Sequence, residues 1–137
     1  MFKVKNACFV TLFILIALFI LTSCSDPGPA GPPLEGDVSD LALEFIRALV
    51  EQKYDSAYEF FNTEMRKAIS ERQLRQTWEG TLAQLGAYIG EVEIIIDEIE
   101  EYTAINVITD FENDQINIRV VFDQDKRVAG LWFQPAN

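Results

Sequence analysis

No histidine occurs anywhere in the 137-residue chain. That removes the commonest general base and metal ligand, and with it every Ser-His or Cys-His nucleophile arrangement, so any catalysis would fall to carboxylates or tyrosine. Basic residues are scarce as well, with 11 Lys and Arg against 22 Asp and Glu and a net charge of −11. Such a chain repels phosphate backbones and anionic headgroups, whose binding relies on Lys and Arg releasing counterions, so no nucleic-acid partner is expected. Only two cysteines exist, Cys8 and Cys24. A cut between them leaves no pair for an internal disulfide, and the core must hold the fold unaided. With 49% of its residues apolar, the chain has enough hydrophobic area for one domain of this size. No cofactor and no metal site are expected.

The apolar excess lies at the start. Lys3 and Lys5 precede the run Ala7 to Leu21, which is followed by the small residues Thr22 and Ser23. This is the three-part layout of a signal peptide. As a helix the apolar stretch would reach roughly 25 Å, short of the roughly 30 Å hydrocarbon core that a membrane-spanning helix has to cross. Leu21-Thr22-Ser23-Cys24 resembles the bacterial lipobox. The resemblance implies cleavage before Cys24 and diacylation of its thiol. Two acyl chains, at about 0.8 kcal/mol per buried CH₂, anchor a protein that one chain would hold only weakly.

The expected organisation is a signal peptide over residues 1–23, a lipidated cysteine with a Pro/Gly-rich tether over 24–37, and one domain over 38–137. The protein would then sit on the outer side of a cell membrane or an outer membrane. Without Lys3 and Lys5 the charge becomes −13. The proline and glycine of Ser25 to Asp37 exclude helix and sheet, and thirteen extended residues at about 3.1 Å each would hold the domain up to about 40 Å from the bilayer.

From Asp40 the chain becomes periodic. Leu41, Phe45, Ala48 and Leu49 follow helical spacing, with Ser39 or Asp40 as N-cap. Ala57, Tyr58, Phe61, Met65 and Ile69 form a second helical stripe with a break near Asn62. Ser70-Glu-Arg-Gln73 reads as a capping box that opens a third helix carrying Leu74, Trp78, Leu82 and Leu85, and Gly86 is a natural stop. Beyond Gly86 the period falls to two and β-branched residues take over, which predicts strands over about 88–97, 102–111, 116–122 and 127–133. Two-residue turns at Asn113-Asp114 and Gln124-Asp125 would set Phe111 opposite Ile116 and Ile116 opposite Phe133. Both hairpins then put one apolar set on one face. The expected fold is α+β, with three N-terminal helices packed on a curved four-stranded antiparallel sheet.

Phe45 and Leu49, Tyr54-Asp-Ser-Ala-Tyr-Glu-Phe-Phe61, Leu74 with Trp78, and the closing Val121-Phe-Asp-Gln-Asp-Lys-Arg-Val-Ala-Gly-Leu-Trp-Phe133 carry a family pattern. The stretch Ala42 to Phe133 resembles the domain-of-unknown-function 3887 group within the nuclear-transport-factor-2-like superfamily, small domains found on prokaryotic lipoproteins and ahead of some α/β-hydrolase domains. The resemblance implies a sheet wrapped around helices into a cone with a pocket. It brings no catalytic residues.

Among the candidate sites, the acidic run Asp97 to Glu101 reads as a solvated hairpin tip, because it lacks the glycine and spacing of a calcium loop, and Asp123-Gln-Asp125 reads as a β-turn. Tyr58, Trp78 and Tyr88 are the residues expected to line a pocket. The outer sheet face, carrying Tyr102, Ile108, Val121, Val128 and Trp132 beside Asn106, Asn117 and Arg119, has the mixed character of an interface. The leading functional expectation is a non-enzymatic, lipid-anchored accessory or binding domain that dimerises or docks an envelope protein through that face. The alternative is a small-molecule pocket with isomerase- or dehydratase-type chemistry.

Overall fold

The computed structural model describes residues 28–136. The expected signal peptide, Cys24 and the first residues of the expected tether therefore lie outside the described residues, as does Asn137. Four helices, α1 Val38–Val50, α2 Tyr54–Glu59, α3 Thr63–Ala68 and α4 Glu71–Leu85, precede four strands, β1 Tyr88–Ile99, β2 Tyr102–Phe111, β3 Gln115–Phe122 and β4 Val128–Pro135. The strands form one open antiparallel sheet in the order β1-β2-β3-β4. No helix among the described residues is long and apolar enough to cross a membrane.

The α1 cap is Asp37, not Ser39 or Asp40: its carboxylate accepts from the Ser39 amide at 2.8 Å. Leu41, Ala42, Phe45, Ile46 and Leu49 then share the buried stripe. The expected second helix breaks near Asn62 as read and becomes two, α2 and α3, which makes four helices where three were expected. The cause is a rung of β-structure between them. Phe61 bridges Val128, the Asn62 amide donates to the Val128 carbonyl at 2.9 Å, and the Val128 amide donates to the Phe60 carbonyl at 2.8 Å. Asn62 restarts the helix by capping the Met65 amide.

At α4 the capping box forms as read, with the Gln73 amide on Ser70 Oγ and the Ser70 amide on Gln73 Oε1. Ser70→Ala should cost about 1 kcal/mol, measurable by urea unfolding. Gly86 closes the helix at φ 84°, ψ −165°, and a Cβ there would meet Glu112 Oε2 at 2.7 Å and Glu112 Cβ at 2.8 Å. Gly86→Ala is expected to destabilise by about 1–3 kcal/mol, because that backbone region is nearly exclusive to glycine. Thermal unfolding at neutral pH reads it directly.

The sheet keeps the expected inner face, but both registers differ from the two-residue-turn expectation by two residues. Thr109, not Phe111, lies opposite Ile116, and Ile118, not Ile116, lies opposite Phe133. A shift of two preserves the side-chain face, so Ile105, Val107, Phe111, Ile116, Ile118, Val120 and Phe122 are all buried against the helices. One irregularity between Val121 and Phe122 places Val128 opposite Phe122 and leaves Ala129 as an extra residue, a β-bulge. Val128 therefore turns inward and is fully buried, which corrects its expected place on the outer face.

Half of the expected tether rests on the domain. Leu34 donates its amide to the Asp125 carbonyl at 2.9 Å, the Ala30 amide donates to Thr63 Oγ1 at 3.2 Å, and Arg127 reaches Pro32 O from Nε and Nη2 at 2.9 and 2.6 Å. Leu34 also packs against the edge of the core.

Candidate functional site

Two regions gather most of the residues singled out in the sequence, and a third stands beside them. The first is a cleft of about 370 Å³ between the end of α4 and the start of β1, lined by Val50, Trp78, Leu82, Gly86, Ala87 and Tyr88. It brings Trp78 and Tyr88 together, with ring centroids 6.4 Å apart, and Phe111 backs both. Neither the Trp78 indole N–H nor the Tyr88 hydroxyl has a hydrogen-bond partner, although both atoms are buried. Burial, and then the Glu91 carboxylate, hold the Tyr88 phenol above the ordinary tyrosine range.

Tyr58 does not join them. Its hydroxyl donates to the carbonyls of Arg66 and Ile69 at 3.2 and 3.3 Å, and its ring lies under the Arg66 guanidinium at 5.2 Å. It staples α2 to the end of α3, so its role is structural. No carboxylate lines the cleft among its described residues.

The pH consequence has a definite sign. A phenol whose native pKa is raised keeps its proton when the unfolded chain has begun to lose it, so stability is fully present below about pH 10 and falls as pH rises beyond that. Tyr88→Phe should flatten the decline, read as melting temperature against pH on the alkaline side.

The second region is the outer sheet face. Asn106 is 4% exposed and sits at the centre of a cross-strand network. Its Nδ2 donates to Asp97 Oδ2 at 2.9 Å, and its Oδ1 accepts from Asn117 Nδ2 and Arg119 Nη1, both at 3.0 Å. Arg119 also lies 3.4 Å from Asp97. Asn106, Asp97 and Arg119 find partners in one another, whereas Asn117 Oδ1 is buried without one among the described residues. Of the expected interface residues, Tyr102 and Trp132 are exposed, Ile108 and Val121 are half-buried, and Val128 belongs to the core. The edge of the Trp132 ring lies against Gly130, where any Cβ would collide with it.

The third region was not singled out. β1 is an edge strand, and Ile89, Val92, Ile94, Ile95, Ile96 and Ile99 are all exposed, from 39% to 65%. Ile94 and Ile96 pair with the inward-facing Val107 and Ile105, so they point to the helix side, yet among the described residues no helix buries them. Ile95 and Ile99 point the opposite way, beside Asn106 and Tyr102. Beyond Tyr88, which packs on Trp78, β1 reaches past the helix layer. Natural sheets guard such an edge with charges and bulges, and β1 has both: Glu91, Glu93, Asp97 and Glu98, and register shifts before Gly90 and Glu93. The unbroken run Ile94-Ile95-Ile96 was the available signal, since apolar residues at successive strand positions demand cover on both faces. Among the described residues no group of three His, Cys, Asp or Glu side chains is placed to hold a metal ion.

A family model described as a protein of unknown function, DUF3887, matches residues 42–131. Among curated proteins, Esterase EstD of Thermotoga maritima is 29% identical over 97 residues, covering 69% of this chain and 23% of the esterase. The chain thus spans about a quarter of the length of that relative. No solved structure matches.

Proposed function

The chain belongs to the DUF3887 family of proteins of unknown function, and on that premise we propose a non-enzymatic accessory domain, anchored outside a prokaryotic membrane through diacylated Cys24, that docks a partner protein along β1. The domain would be a cone of the nuclear-transport-factor-2-like kind. The observation that carries the docking is β1 itself, six of whose twelve residues are large, apolar and exposed on an unpaired edge. Edge strands recruit extended segments through main-chain hydrogen bonds and choose them by side-chain pockets. Because β1 holds four acidic and no basic residues, the occupant is an extended segment in which aliphatic residues alternate with Lys or Arg.

Titration calorimetry with a synthetic alternating Val-Lys peptide tests this. Binding by the Lys peptide but not a Val-Glu peptide, lost in Ile95→Lys, is the expected result. Equal binding of the two peptides would sink the reading, and so would a self-dimer in sedimentation that Ile95→Lys dissolves, since β1 would then be covered by a second copy. Mass spectrometry of the membrane-extracted protein tests the anchor, which requires a chain beginning at a diacylated Cys24.

The esterase activity named for the relative is not carried over, because this chain has no histidine to serve a serine nucleophile. A ligand pocket is the second reading, favoured by the two unpartnered polar atoms beside the cleft. A ligand there should quench Trp78 fluorescence in the wild type and fail to do so in Leu82→Trp, whose added ring fills the cleft.

A further inference from the structure

We propose that residues 28–36 are a latch that fixes the orientation of the domain on the bilayer, with the β1–β2 and β3–β4 turns facing the lipid. The proposal rests on the Cys24 anchor for the membrane and on the described contacts for the latch. Arg127 is only 5% exposed, yet it has no carboxylate partner among the described ion pairs. Its fork is spent on backbone carbonyls: Nε and Nη2 on Pro32, and Nη1 on Glu59 at 2.5 Å. A buried guanidinium is costly unless its donors are satisfied, so removing residues 28–36 would orphan most of this one. Lys126 Nζ adds a bond to the Gly36 carbonyl, and the Leu34 amide bonds the Asp125 carbonyl.

Apart from the bond between Ala30 and Thr63, every hydrogen bond described from the latch to the rest of the domain therefore falls between Asp125 and Arg127, at the β3–β4 turn. A meander puts its first and third turns at the same end, and Glu101 and Tyr102 do share a shallow depression with Asp123, Gln124 and Asp125. From Cys24 to Gly28 the chain has four Cα steps, a maximum of about 15 Å. A latched domain cannot stand about 40 Å away as a free tether would allow. It is held close, with the carboxylates of Glu101, Asp123 and Asp125 nearest the headgroups. The opposite turn, at Asn113, lies a strand length further out, about 25 Å.

Cleavage of the leader removes Cys8, and the lipid occupies Cys24, so an introduced cysteine is the single free thiol. Gln124→Cys and Asn113→Cys, each carrying a fluorophore, are reconstituted in phosphatidylcholine vesicles containing a headgroup-located quencher. Quenching at position 124 and none at 113 is expected. Inserting twelve Gly/Ser residues between Asp26 and Pro27, which leaves the domain untouched, should abolish it. Equal quenching at both positions, or quenching at 113 alone, overturns the orientation. Hydrogen exchange at Leu34 separates the two assumptions. Protection lost in Arg127→Ala, with Ile118 still protected, supports the latch even if the mass shows no lipid, and an unprotected Leu34 in the wild type overturns it whatever the mass shows.

Discussion

Trp78→Ala is expected to cost about 3–5 kcal/mol, the range for deleting a fully buried aromatic from a core. Trp78 is fully buried and its ring meets Tyr88, Phe111 and Phe133 at centroid distances of 5.9–6.4 Å. It ties α4 to β1, β2 and β4 at once. A loss of that size takes a large part of the 5–15 kcal/mol available to a typical domain. Urea unfolding followed by circular dichroism should find the variant partly unfolded without denaturant. Trp78→Phe gives the finer test. The indole N–H has no partner, and an orphaned buried donor costs about 1–3 kcal/mol. Removing it offsets some of the packing loss, so the phenylalanine variant should lose less than its smaller ring implies. A full-sized loss in Trp78→Phe would mean that the N–H is satisfied by water.

Arg127→Ala is expected to cost on the order of 3 kcal/mol, because hydrogen bonds from a charged donor are worth more than neutral ones and the carbonyls of Pro32 and Glu59 lose their donor. Arg127→Met keeps the apolar stem and removes only the fork. If the two variants unfold at the same urea concentration, the hydrogen bonds carry the effect. If Arg127→Met is nearly as stable as the parent, packing carries it.

Local chemistry made part of this fold readable. The capping box at Ser70, the stop at Gly86 and the change of period beyond it are each set by neighbours in sequence, and each is found where expected. Side-chain face survived two wrong registers because strand period is two, so an even error is silent. Val128 escaped because one extra residue in β4 reverses its direction, and no residue type announces a bulge there.

The break near Asn62 was legible, but its cause, pairing with a strand nearly seventy residues later, was not. Tyr58, Trp78 and Tyr88 have similar chemistry, and only the packing of α2 away from the cleft separates the first from the others. Proline and glycine correctly excluded helix and sheet over residues 28–36, but composition cannot reveal that Arg127, 95 residues away, waits to hold Pro32.

That separation also orders events during folding. Each strand pairs with its neighbour in sequence, so the sheet can grow by short loop closures, which are entropically cheap and fast. The contact between Pro32 and Arg127 closes nearly the whole described chain, and it requires the last hairpin to exist. It therefore belongs to the final step of folding, and protection of the Leu34 amide should appear only after that of Ile118. The segment that follows the cysteine would thus report, at the chain's beginning, that its end has been reached.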